Sequence, residues 1–332
     1  MTGALPAGRP ATAPDPAQAL GVLLVNLGTP AAPTSAALRR YLEEFLSDPR
    51  VVAIPRIIWL PLLHGLILRT RPRASAQRYQ AIWTPEGSPL AVHTRRQSEL
   101  LQLALPECEI EYAMRYGGPS IAQGLERLAN CRRRLVIPLY PQYAGSTTEA
   151  VRDCLPAGTR MIGDFHAHPA YISALAAGVT RYWAAHGQGD ILLMSFHGLP
   201  QRAVDRGDPY KDQCLTTARL LAEALGLPKD ACRISFQSRF GKAAWIAPYT
   251  ASLVQELGSM RTKRLDVLCP GFVSDCLETL EEIQLEAKKI FLDSGGTEFH
   301  LLPCLNESPE WISALAEIVR ESGSASAWQT LP

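Results

Sequence analysis

The feature that most restricts the fold is an alternation, carried almost from end to end, of short apolar runs with longer amphipathic stretches. Residues 20–27 form an apolar run closed by Gly28-Thr29-Pro30, and Thr34 then opens a helical pattern to about residue 45, with the threonine as N-cap. From Pro89 the rhythm is regular: a helix to about 104, a strand over 109–115, a helix over 120–130 and a strand over 134–140. After the loop PQYAGSTT come another helix and a short strand near 161–165. The second half repeats the rhythm, with helices near 171–185, 212–225, 250–258, 274–292 and 308–320 and strands near 190–196, 233–237, 265–269 and 298–302. Strands alternating with helices imply mainly parallel sheets covered on both faces. The predicted fold class is therefore α/β, two doubly wound domains facing each other across a cleft.

A chain of 332 residues has room for two such units. A net charge of +1 with no basic run argues against nucleic acid as a partner. The eight cysteines, at 108, 131, 154, 214, 232, 269, 276 and 304, form no CxxC pair, which fits reduced thiols in the cytoplasm better than a zinc ribbon or a disulfide scaffold. Residues 1–19 are rich in Ala and Pro and lack a hydrophobic signal region, so a disordered tail is predicted there; residues 323–332 form a second. Neither GxGxxG nor GxxxxGK[ST] follows the first strand, which argues against a nucleotide phosphate loop.

Residues 50–73 hold an apolar stretch, IIWLPLLHGLIL over 57–68, interrupted by Pro61 and Gly65 and bounded by Arg56, Arg69, Arg71 and Arg73. It is too short to span a bilayer, which takes about 20 apolar residues. Two readings stand: a buried core segment, or an exposed lip that holds an apolar ligand and rests on an anionic membrane surface, with Trp59 and Leu60 entering the interface.

Two stretches carry residues suited to chemistry. In DILLMSFHGLP, the strand ends at His197, at the edge where open α/β sheets bind ligands. The imidazole is either a structural residue or a base and metal ligand that titrates near neutrality. In CPGFVSDCLETLEEIQLEAKKI, Leu277, Leu280, Ile283, Ala287, Ile290 and Phe291 share one helical face, while Glu278, Glu282 and Glu286, spaced by four, form a carboxylate stripe on another. That stripe is either a solvated face or a ladder of oxygen ligands for a divalent cation. A third group, Arg115-Tyr116, Tyr140, Tyr143, Ser146-Thr147-Thr148, Trp245 and Tyr249, follows predicted strands and would line the same cleft.

The ordered set VNLGTP, MRYGGPS, YPQYAGSTT, SFHGLP, YKDQC, FQSRFG with Trp245 and PYT, and CPGFVSDCLETLEEI resembles ferrochelatase from about residue 20 to 320. The resemblance implies two Rossmann-like, chelatase-type domains, 20–165 and 166–305, the first carrying the lip at 50–73, and a C-terminal helix, 306–322, packed back on the first. It implies insertion of Fe2+ into a porphyrin to make haem. His197 and Glu278 match the family's catalytic pair at the porphyrin centre and, with Glu282 and Glu286, its metal-binding positions. Leu27, Arg115, Tyr116, Tyr140, Ser146, Trp245, Phe272 and Asp275 match porphyrin-pocket positions.

Two departures refine this. Gly145 replaces the cysteine that cluster-containing relatives carry in the YPQYS loop, and the tail has no cysteine, so no iron–sulfur cluster and no tightly bound cofactor are expected. Leu27 stands where relatives acting on coproporphyrin have tyrosine, so protoporphyrin IX is the expected acceptor and Fe2+ its co-substrate. In this reading the protein is a cytoplasmic monomer, with peripheral contact to the inner membrane if the lip reading holds. The alternatives are a chelatase for another tetrapyrrole or metal, such as coproporphyrin III or cobalt into sirohydrochlorin, and a non-catalytic porphyrin or haem carrier.

Overall fold

The computed structural model describes residues 19–241 and 243–324; the tails predicted over 1–19 and 323–332 fall outside these residues, except for residues 19, 323 and 324. The first half runs β1 (Leu20–Gly28), α1 (Ser35–Ser47), α2 (Arg56–Leu62), α3 (Leu68–Ile82), α4 (Pro89–Ala104), β2 (Cys108–Tyr116), α5 (Ile121–Arg127), β3 (Arg133–Pro138), α6 (Thr148–Arg152) and β4 (Arg160–Met161). The second runs α7 (Pro169–His186), β5 (Ile191–His197), α8 (Gln201–Val204), α9 (Tyr210–Ala224), β6 (Cys232–Gln237), α10 (Thr250–Ser259), β7 (Arg264–Leu268), α11 (Leu277–Leu280), α12 (Lys288–Asp293), β8 (Glu298–Leu301) and α13 (Pro309–Gly323).

The two sheets have the same wiring, β2-β1-β3-β4 and β6-β5-β7-β8, and every strand pair is parallel. β1 and β5 are central because their side chains are apolar on both faces, which only a strand covered on both sides can satisfy. The registers set Gly28 level with Tyr116 and His197 level with Gln237. Gly28 has φ +111°, and a Cβ there would lie 1.8 Å from the Tyr116 carbonyl oxygen, so the close approach at the end of β1 requires glycine. Thr34 does cap α1, its hydroxyl accepting from the Ala37 amide at 3.3 Å.

One buried cluster joins the halves: Val22 and Leu24 of β1, Met194 and Phe196 of β5, and Tyr171, Trp311 and Leu315 of the helices between. α13 packs against α7 and α4, and its Trp311 is stacked on Phe165, with ring centroids 5.8 Å apart.

Two stretches depart from the expected periodicity. The helix predicted over 274–292 begins three residues later and is broken: α11 and α12 are joined by a π-helical segment, Glu282–Ala287. The 57–68 stretch is also helical, with a π segment at Leu63–Ile67 between α2 and α3. It divides its side chains between the two readings. Trp59, Leu63 and Leu68 are buried, whereas Ile57 is 85% exposed, Ile58 63% and Leu66 55%, with Ile54 and Leu62 beside them. Trp59 therefore does not face outward; its indole N–H donates to the Leu46 carbonyl at 2.6 Å, and Leu60 packs against the same cluster.

Candidate active site

The site forms where β5, β6 and β7 end and the π-interrupted helix begins. His197 is the last residue of β5 and is half-buried. Its Nδ1 lies 2.6 Å from the Gly198 carbonyl oxygen. A carbonyl can only accept, so Nδ1 carries the proton, and Nε2, with no partner among the described residues, keeps its lone pair in the neutral ring. Gly198 is held in turn by donating its N–H to the Gln237 carbonyl at 2.8 Å. Phe272 stands edge-on to the imidazole with centroids 6.4 Å apart.

Gln237 and Ser238, brought to His197 by the β5–β6 register, organise the carboxylates. The Gln237 amide nitrogen donates to the Glu278 carbonyl at 2.7 Å and reaches the Glu282 carboxylate at 3.4 Å. Ser238 has φ +63°, an unusual conformation for a residue with a Cβ, and it directs both its backbone N–H, at 2.6 Å, and its hydroxyl to the Glu282 carboxylate. Burial raises the Glu282 pKa above the usual carboxylate range; Ser238's donors and His197 oppose that rise, and the Glu278 charge adds to it. Glu278, half-buried in the first turn of α11, lies beside α1 and α3, where its neighbour Leu277 packs on Leu38, Ala76 and Tyr79. Its charge adds to the burial that already holds the Tyr41 and Tyr79 phenols well above their ordinary pKa.

The structure thus brings His197, Glu278, Glu282 and Phe272 together, with Trp245 against Gly198. The remaining positions matched from sequence are placed differently. Glu286 is exposed and drawn to Arg78 at 2.6 Å, so it does not share the Ser238 donors that hold Glu282; the i→i+5 turns of the π segment shift the faces that α-helical spacing would align. Asp275 is turned inward, accepting from Thr279 at 2.9 Å and Asn306 at 2.6 Å. Tyr116 is fully buried with its hydroxyl donating to Asp48 at 2.9 Å, and Arg115 is tied to Asp48 and to the Ala150 carbonyl. The Tyr140 hydroxyl is buried without a partner among the described residues. Leu27 is half-buried at the end of β1 against the Trp59 and Leu63 cluster, and Ser146 is half-buried in the loop after β3.

Three residues of the site fall inside quoted motifs but were not singled out there as site residues. Gln237 and Ser238 carry no chemical signature of their own. Glu281 looks like one more surface acid, yet it is buried, with Oε2 unpartnered among the described residues. Arg71, one of the arginines that bound the 57–68 stretch, lies 5.0 Å above the Phe240 ring, and it has no carboxylate partner among the described residues.

A protein-family model described as Ferrochelatase matches residues 19–323. A Ferrochelatase of Azoarcus sp. (strain BH72) is 56% identical over 324 residues, covering 93% of this chain and 89% of that protein. One of Aromatoleum aromaticum is 55% identical over 316 residues, covering 90% and 87%. Among solved structures, CbiX, the terminal enzyme for biosynthesis of siroheme in denitrifying bacteria, superposes with a TM-score of 0.51 at 16% identity, over 92% of this chain and all of that one. At that identity the likeness speaks for a shared fold.

Proposed function

The chain belongs to the ferrochelatase family, an enzyme family of haem biosynthesis whose substrates are a porphyrin and Fe2+, and on that premise we propose how its own residues divide the reaction. Insertion replaces two pyrrole N–H protons by the metal: porphyrin and Fe2+ give haem and two protons. With Nδ1 committed to Gly198 and no partner for Nε2 among the described residues, the His197 ring is oriented to accept a pyrrole proton at Nε2, a role worth about 10²–10⁴-fold in rate. Glu278 and Glu282 offer hard oxygen donors for Fe2+, a moderate combination that lets a tetrapyrrole take the ion over. Phe272 and Trp245 supply apolar walls. The Arg71 guanidinium is available to a carboxylate substituent of the porphyrin.

The observation that carries this reading is the coupling of His197 and Glu282 through one strand pair, His197 beside Gln237 and Ser238, whose donors fix the acids. We further read the acceptor as protoporphyrin IX, from Leu27, and the protein as a monomer that docks peripherally on anionic membranes through Ile57, Ile58 and Leu66. Iron is substrate here, and no resident cofactor has a role.

His197→Ala should cut metallation at least 100-fold while leaving porphyrin affinity, read by quenching of intrinsic fluorescence, within a few-fold of wild type. Near-normal anaerobic turnover with Fe2+ or Zn2+ would remove His197 as the base. Comparing protoporphyrin IX with coproporphyrin III in the same assay decides the acceptor, and equal kcat/KM would refute the reading from Leu27.

A further inference from the structure

Arg78 on α3 reaches the acidic helix packed beside it. Its Nη2 lies 2.6 Å from Glu286 Oε1 and its Nε 3.5 Å from Glu281 Oε1. The contact with Glu286 is half-exposed on both sides, 51% and 45%, so water screens it and it can exchange. Glu281 is different: its side chain is only 10% exposed and its second oxygen is buried with no partner among the described residues. Glu281 and Glu286 therefore share a single guanidinium, on the same helix whose first turn carries Glu278 and whose Glu282 is held by Ser238. A divalent cation arriving from solvent would meet the exposed Glu286 first and find Arg78 already there, with Glu281 buried behind it.

We propose that Arg78 is a placeholder cation: it occupies the outer carboxylates until a divalent ion displaces it, and so keeps that end of the helix from holding the ion too tightly to pass it on. Arg78 acts through the acids and is a positioning residue. It swings back onto Glu286 once the ion has moved inward, so the acids are never left without a counter-charge. The inference rests on the reading of Glu278 and Glu282 as the metal's destination.

The test uses Mn2+ as a probe of the full-length protein without porphyrin, its free concentration read by electron paramagnetic resonance, beside Fe2+ metallation kinetics. Arg78→Gln should tighten Mn2+ binding and lower the KM for metal by about three- to ten-fold, the effect of removing one partly screened charge beside the acids. The KM for porphyrin should stay unchanged, and Arg78→Lys should remain within about two-fold of wild type because it keeps the charge. A folded Arg78→Gln protein with unchanged or weaker Mn2+ affinity overturns the proposal. Glu282→Gln separates the two readings. If it weakens Mn2+ binding while Arg78→Gln does nothing, only the placeholder role fails. If Glu282→Gln has no effect, the metal route itself is wrong.

Discussion

Gly198 shows how one position can hold a site together. A Cβ there would lie 2.6 Å from the Gln237 carbonyl oxygen and 3.1 Å from the Trp245 ring, and the first of these is backbone that cannot swing aside. Gly198→Ala should therefore cost about 1–3 kcal/mol of stability and lower kcat, because the shift moves both the His197 acceptor and the strand that carries Ser238; an alanine variant with wild-type Tm and kcat would refute this. Glu281 yields a pH-dependent prediction. Burial, more than any neighbour, raises its pKa above that of an unfolded glutamate, with Glu286 adding to the rise and Arg78 opposing it. The native state then holds a proton that the unfolded chain has released, so ionisation destabilises the fold as pH rises above about 4.3, the unfolded value. Glu281→Gln should accordingly raise Tm at pH 7–8, with a gain that fades as pH falls toward 4. Calorimetry across that range checks the sign, and a gain that grows in acid would contradict it. The positions of His197 and Glu278, at a strand end and in a first helical turn, were legible in the sequence, while their pairing was implied by the family resemblance. Gln237, Ser238 and Glu281 were not legible, since their roles arise from a register between distant strands and from burial.

At the scale of elements, both helices that border the cleft contain π segments, Leu63–Ile67 and Glu282–Ala287. The carboxylate stripe read at a spacing of four assumed 3.6 residues per turn; a wider turn rotates every residue C-terminal to it, which is why Glu282 meets Ser238 while Glu286 meets Arg78. Nothing in the composition marks a π turn, so this part of the site could not be read from periodicity. The same limit explains the 57–68 stretch, where the outward residues are Ile57, Ile58 and Leu66 and the inward ones Trp59 and Leu63. These faces predict separable effects. Ile57→Asp with Ile58→Asp should abolish co-sedimentation with phosphatidylserine vesicles and leave Tm unchanged, because both side chains are solvated. Trp59→Ala should instead lose about 3–5 kcal/mol of stability, since it empties a buried site and strands the Leu46 carbonyl. If the double aspartate variant still sediments with the vesicles, the lip is not the docking surface.

Considered whole, the molecule repeats one four-stranded order twice, yet its largest core belongs to neither sheet alone. The alternation of strands and helices made the repeat legible. The periodicity did not show the shared core, because it depends on α7 and α13 packing together, with Trp311 fully buried against Phe165 and Tyr171; only the family resemblance pointed to the C-terminal helix folding back. Two domains with separate cores would unfold in two steps. Here Val22 and Leu24 lie in the same cluster as Met194 and Phe196, so opening either sheet exposes apolar surface of the other. Urea unfolding should therefore follow one transition whether monitored by tryptophan fluorescence or by far-ultraviolet circular dichroism, despite the two-sheet architecture. Trp311→Ala should lower its midpoint by the equivalent of about 3–5 kcal/mol, a large fraction of the roughly 5–15 kcal/mol that holds a domain folded, while the two probes stay coincident. Should the probes separate in the wild-type protein, the cluster at α7 and α13 would be an interface between independently folding units and not a common core, and Trp311→Ala would then shift only one of the two transitions.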